Sequence, residues 1–400
     1  MSHQAPRTLT AESVMLPEGH RLRRLPMLGA AATIVGIGLL TVFGAAHPAK
    51  VYAAWLVAFL FFLSLALGAL YFVLIHYAVQ AGWSVVLRRL GENLASTLPV
   101  FALLFVPVLL GMGDLFPWAR PEAAGDHLMQ WKAPFLNRNF FLLRAAIYLV
   151  VWSALALGYA RASRAQDATG DVGISKRLRR FAGPAILILA ITQTFAAIDW
   201  VMSLSPRWYS TVFGVYFFAG CYVSWFALLA LLATALRRGP LKDVITVEHL
   251  HDVGRLVFAF VCFWAYIAFS QYFLIWYGNL PEETFWYHLR LQGRWQALSA
   301  FLAVGHFVIP FFFLMGRTVK RRGPWLTIGA IWVLTVHFLD ITWLVLPSIG
   351  QGYFSSAILA GAVLAVGGIV TMVFGRRLAG RPLVPIRDPR LAESLALDNA

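Results

Sequence analysis

The chain has 400 residues, of which 60% are hydrophobic and 13% charged, with a formal net charge of +15 and a mean hydropathy of +0.71. No soluble domain can hide that much apolar surface, whereas a bilayer accepts it. The two cysteines, Cys221 and Cys262, sit in apolar runs and provide neither a disulfide framework nor a metal or Fe–S spacing. The first 25 residues are polar and basic, without the apolar core of a cleavable signal peptide, and are expected to remain as a cytoplasmic segment.

Crossing about 30 Å of hydrocarbon takes about 20 apolar residues, and in lipid every backbone polar group must be satisfied within the segment, so each span is a helix. In chain order the apolar runs predict spans at 26–45, 51–78, 95–113, 137–160, 180–203, 210–236, 253–279, 294–317, 324–346 and 354–375. The chain therefore reads as an all-α polytopic membrane protein. A basic segment (1–25) precedes a ten-helix domain (26–376), and a tail (377–400) follows. Between spans 2 and 3, Gly82–Leu94 is too polar to cross. Trp83, Val86, Leu87 and Leu90 make one apolar face, with Arg88, Arg89 and Glu92 elsewhere, which predicts a short helix lying in the membrane interface.

Basic residues orient the spans. One side carries Arg7, Arg21, Arg23 and Arg24; Arg88 and Arg89; Arg161, Arg164 and Lys176–Arg180; Arg237, Arg238 and Lys242; Arg317–Arg322; and Arg376–Arg390. The other side holds Lys50, Arg120, Lys132, Arg207 and Arg290. The first side, with both termini, is expected to be cytoplasmic in a bacterial inner membrane. The net charge then marks topology and contact with anionic lipid, and a nucleic-acid partner is not needed to explain it. Trp118, Trp131, Trp208, Trp286 and Trp343 fall near the opposite ends, where amphipathic rings favour the interface.

Spans 5 and 9 share a pattern. Asp199-Trp200 is followed by Pro206, and Asp340 by Trp343 and Pro347. Gly113-Asp114-Leu115 and Gly278-Asn279-Leu280 end spans 3 and 7. Spans 2–5 and 6–9 thus read as two four-helix bundles, flanked by spans 1 and 10.

Polar residues inside a membrane are costly and functional by default. Arg144 lies in the outer part of span 4, Asp199 near the outer end of span 5, and Gln271 in the outer third of span 7. His337 and Asp340 are three apart on span 9, hence on one face. His306 lies nearer the midplane of span 8, where a packing role competes with a chemical one; His76, near the cytoplasmic end of span 2, reads as a snorkelling or loop-contacting residue. These groups can hold a polar ligand head, as a quinone oxygen requires, or pass protons to the outer water. An Arg–carboxylate pair can equally do no more than stitch helices together. Outside, Glu282 and Glu283 precede Phe285, Trp286 and Tyr287 and suit either a proton exit or helix capping. No catalytic motif, metal site or haem-ligand pair emerges. A secondary transporter would need paired interrupted spans, and none is evident.

Three stretches carry a family resemblance: Thr194–Leu204 continuing through Trp208–Gly220; Phe258–Phe260 through Trp264–Tyr272 to Ile275–Thr284; and Leu136–Arg138 through Phe140–Arg144. They resemble the second quinone-binding-type membrane subunit of alternative complex III, a bacterial quinol:cytochrome c oxidoreductase, within the polysulfide-reductase-like membrane subunits. The resemblance implies two four-helix bundles in ten spans and no redox cofactor of the subunit's own. Its implied partners are lipid, a sister quinol-binding membrane subunit, and Fe–S and c-haem subunits. Quinone or quinol (ubiquinone or menaquinone) and proton conduction are the implied roles, inherited here by Arg144, Asp199, Gln271, His337 and Asp340. Where family members often carry an acid and a histidine, this chain has Ser205 and Arg207. A purely structural membrane anchor remains the alternative.

Overall fold

A computed structural model describes residues 9–398. It is helical, and 10 helices are long and apolar enough to cross a membrane: Arg21–Gly44, Pro48–Ala78, Val85–Leu110, Arg138–Thr169, Val172–Leu204, Phe213–Arg237, Val247–Gly278, Arg294–Met315, Gly323–Ile349 and Ser356–Ala379, called spans 1 to 10. Local sequence sets the ends. Pro48 opens span 2 with its φ already fixed for a helix. The Asn137 side chain accepts from the Phe140 N–H at 2.9 Å and caps span 4. Gly170, at φ +74°, stops that span, and Asp171 caps span 5 by accepting from the Gly173 N–H at 2.7 Å. Spans 4 and 5 thereby run past their apolar stretches as helix, which hydropathy alone does not reveal.

Spans 2–5 pack on one another, spans 6–9 do the same, and the two bundles meet along spans 2 and 6. Span 2 is the central mast, buried along nearly all of Ala53–Tyr77. Spans 1 and 10 lie outside the two bundles. They pair with each other and lie together against span 2. Small residues permit that pairing: a Cβ added at Gly36 would stand 2.6 Å from the Gly361 carbonyl oxygen of span 10.

The segment expected in the membrane interface sits elsewhere. All 11 residues of Val85–Ala95 are buried, as the start of span 3. Its charges are spent inside the protein. Arg88 pairs with Asp388 and with Glu92 (3.5 Å), and Arg89 with Glu92 (3.3 Å) and Asp167 (2.5 Å). The tail closes over it: the Ser394 hydroxyl donates to the Trp83 carbonyl at 2.7 Å and accepts from the Val86 N–H at 3.3 Å. The amino-terminal segment joins this cap, with the Leu383 N–H donating to the Val14 carbonyl at 2.9 Å. The first and last described segments of the chain therefore meet at one end of the molecule, the basic end.

The repeat is partial. Pro347 lies inside the span 9 helix, whereas Pro206 follows the end of span 5. Asn279 adopts a left-handed cap (φ +47°) that Asp114, inside a short helix, does not. Span 8 is interrupted where span 4 is continuous: Ala303–Val308 forms a π turn, and the Trp332 indole donates to the Gly305 carbonyl at 2.7 Å.

Candidate functional site

In the first bundle the aspartate near the end of span 5 is matched by a cation. Arg144 grips Asp199 with two parallel bonds of 2.7 Å, and the Tyr148 hydroxyl donates to the same carboxylate at 2.8 Å. The remaining arm of Arg144 donates to the Phe135 carbonyl at 2.9 Å, and its guanidinium lies over the Phe135 and Phe140 rings. Asp199 is fully buried and Arg144 nearly so. Bidentate, charge-assisted bonds of this kind are the strong ones. They leave the carboxylate no further need, and the arrangement joins spans 4 and 5.

In the second bundle the corresponding aspartate has no cation. Asp340, 1% exposed, accepts from the Tyr216 hydroxyl at 2.5 Å and the Trp264 indole at 3.1 Å. No ion pair reaches it among the described residues. His306, on the π turn, stacks on Trp264 with ring centres 3.7 Å apart, and neither of its ring nitrogens has a partner. His337 shares the span of Asp340 but bonds across the bundle boundary, with Nε2 2.9 Å from the Ser64 hydroxyl; its ring lies 6.4 Å from that of His306. Gln271 accepts from the Ser210 hydroxyl at 2.9 Å and donates to the Tyr287 hydroxyl at 3.3 Å.

Beside this cluster a cavity of about 830 Å³ opens between spans 7 and 8, within the size range of ligand pockets. Tyr216, Trp264, Tyr287, Arg290, Gln296 and Trp343 are among its walls. Asp340 and Gln271 stand one bond behind it, through Tyr216, Trp264 and Tyr287. Arg290 is the residue that the sequence reading left among the loop charges. It ends the helix Pro281–Arg290, fully buried one turn after Trp286, whose ring it covers at 3.3 Å. Its arms donate to the carbonyls of Trp286 and Leu344, each at 2.9 Å, and to the Ser348 hydroxyl at 2.8 Å. Its Nε has no partner, and no carboxylate pairs with it among the described residues. Burial pulls this guanidinium well below its ordinary value, with Tyr287 and Tyr216 opposing. Burial also pushes the Tyr287 phenol up to about 12, so it stays a neutral donor. The amphipathic pairing of Trp286 with Arg290 was the available signal in the sequence.

Glu282 and Glu283 occupy the first turn of the same helix, where carboxylates offset its dipole. No hydrogen bond connects them to the cluster among the described residues. His76 is buried rather than snorkelling, with Nδ1 2.7 Å from the Phe72 carbonyl oxygen. Among the described residues no group of three or more His, Cys, Asp or Glu could hold a metal ion.

No protein-family model matches the chain, and no curated protein matches it in sequence.

Proposed function

We propose that this chain is a membrane subunit of a respiratory quinol:cytochrome c oxidoreductase, binding a quinone-type head in the cavity of the second bundle. The observation that carries this reading is a buried cation in the wall of an apolar cavity and a buried aspartate one hydrogen bond behind that wall, not paired with each other. A neutral ring with oxygens at its edges suits such a place. Arg290 and the Tyr287 hydroxyl line the cavity as donors to those oxygens, the Tyr216 hydroxyl, whose own proton is directed at Asp340, accepts from a quinol O–H, and the aromatic and aliphatic walls take the ring and tail. The bound quinol supplies two-electron, two-proton chemistry. On this reading the electrons would go to redox centres held by Fe–S and c-haem partner subunits, beside a sister membrane subunit. Tyr216 takes a proton at the cavity wall and hands its own to Asp340. The basic end faces the cytoplasm of a bacterial inner membrane, so the cavity lies toward the outer side.

The matched pair Arg144–Asp199 favours a second, narrower role for the first bundle, that of an anchor within the complex. A transporter is less well supported, because span 8 is interrupted and span 4 is not.

The test is to purify the chain with its native partners in mild detergent, record a redox difference spectrum, and titrate a quinone analogue against tryptophan fluorescence. Co-purifying c-type haem, and analogue affinity that falls about tenfold or more in Arg290→Gln, are the expected results. A colourless chain without partners, or unchanged affinity in the variant, refutes the proposal.

A further inference from the structure

A second set of unmatched cations lies at the basic end, apart from the cavity. Arg164 of span 4 faces Arg377 and Arg381, at and just beyond the end of span 10, and Arg89 lies behind it; their charges act on one another. Glu92 attracts Arg164 but is already ion-paired with Arg88 and Arg89. Asp167 is likewise held by Arg89. Arg164 Nη1, Arg377 Nε and Arg381 Nη1 are buried nitrogens with no hydrogen-bond partner. Like charges gathered without a counter-charge repel, and buried donors without acceptors are costly, so the site is complete only with an added anion.

Height identifies the anion's source. At about 1.5 Å per residue, Arg164 lies about 39 Å along span 4 from Arg138, and Arg377 about 32 Å along span 10 from Ser356. A hydrocarbon core of about 30 Å puts both at the level of the lipid phosphates. Spans 4 and 10 each pack against spans 2 and 3. We propose that Arg164, Arg377 and Arg381 bind the phosphate of an anionic phospholipid in the leaflet at the basic end. Guanidinium forks match phosphate oxygens two at a time, and several forks on one phosphate discriminate against zwitterionic lipid, whose own ammonium competes. Such a lipid fills the seam between the first bundle and the span 1–span 10 pair.

The full chain, with any partners that accompany it, is equilibrated in mixed micelles of equal phosphatidylglycerol and phosphatidylcholine, and retained lipid is read by native mass spectrometry. Retention of phosphatidylglycerol over phosphatidylcholine by about tenfold is expected, falling about tenfold in Arg164→Gln or Arg381→Gln. Arg161→Gln and Arg376→Gln, exposed at the same level, serve as controls and are expected to retain it. Wild-type protein is also expected to unfold at higher temperature in phosphatidylglycerol than in phosphatidylcholine, a readout that needs no variant. Equal retention of the two lipids, equal loss in the control variants, or displacement by saturating inorganic phosphate overturns the proposal, the last by making the ligand a free anion.

Discussion

Replacing each membrane aspartate by asparagine separates the two bundles. In Asp199→Asn the carboxylate that takes two 2.7 Å bonds from Arg144 and one of 2.8 Å from Tyr148 becomes neutral. Arg144 is left buried without a counter-charge, a change that costs about 3–5 kcal/mol. In Asp340→Asn no cation is stranded, because none is there. The amide oxygen still accepts from Tyr216 or Trp264, and a buried negative charge is removed. A net effect within about 1 kcal/mol follows, as one hydrogen bond weakens and desolvation is relieved. Turnover runs the other way. On the proposed function, loss of Asp340 as proton acceptor behind Tyr216 lowers quinol oxidation by about 100-fold or more, while Asp199→Asn lowers it only as far as the folded fraction falls. Reversible unfolding in mixed micelles gives the first quantity, and cytochrome c reduction by the purified complex gives the second. Asp340→Asn destabilising as much as Asp199→Asn, or retaining full turnover, would refute the assignment of a structural role to one aspartate and a chemical role to the other.

Two further outcomes follow from local structure. Gly36→Leu drives a side chain into the Gly361 backbone of span 10. Overpacking of this kind costs about 1–3 kcal/mol, and the loss should show as weakened cross-linking between cysteines placed on spans 1 and 10, with span 2–span 6 cross-links unchanged. Asp126 caps the helix His127–Lys132 by accepting from the Leu128 and Met129 N–H groups (2.9 and 3.4 Å), and it pairs with Arg207. Slight burial raises its carboxyl, but those backbone bonds and Arg207 outweigh it and hold the group below its ordinary value. A depressed carboxyl contributes order that is present above its unfolded value and lost as pH falls through the folded one. Hydrogen exchange of the Leu128 and Met129 amides should therefore accelerate below about pH 4, and be fast and independent of pH-linked ordering in Asp126→Ala; protection unchanged in that variant would remove the cap from the account.

The architecture was legible because it follows from hydropathy and from the need to satisfy backbone groups within each span. That Arg144 could pair with an aspartate was legible because charges in apolar runs seek each other; that the partner is Asp199 and not Asp340 was not, since only the packing of span 4 on span 5 decides it. The buried Val85–Ala95 helix was not. Its apolar face matched the pattern of an interfacial helix, and nothing local shows that Asp388, 300 residues on, neutralises Arg88. Arg290 was hidden for the opposite reason. It falls in a short segment between spans, with His288, Gln292 and Arg294 close by, and burial comes from Trp286, Trp343 and the span 9 carbonyl of Leu344, which only the tertiary fold assembles. Tyr148 and Tyr216 escaped notice because a tyrosine in a span reads as packing until an acid is found against its hydroxyl.

The two bundles place an aspartate late in an equivalent span and treat it differently. In the first, the arginine comes from the neighbouring continuous helix, one turn from the tyrosine that shares the carboxylate, and the three side chains close on one another. In the second, the neighbouring helix is opened by the π turn at Ala303–Val308, and the nearest arginine has moved onto the preceding helix, where backbone carbonyls hold it. The separation of cation from carboxylate, the cavity beside them and the irregular helix thus occur together in the second bundle and are absent together from the first pair. If the π turn holds the cavity open, a deletion that restores regular helix within Ala303–Val308 narrows it and, on the proposed function, weakens quinone-analogue binding, whereas unchanged binding would separate the irregularity of span 8 from the site.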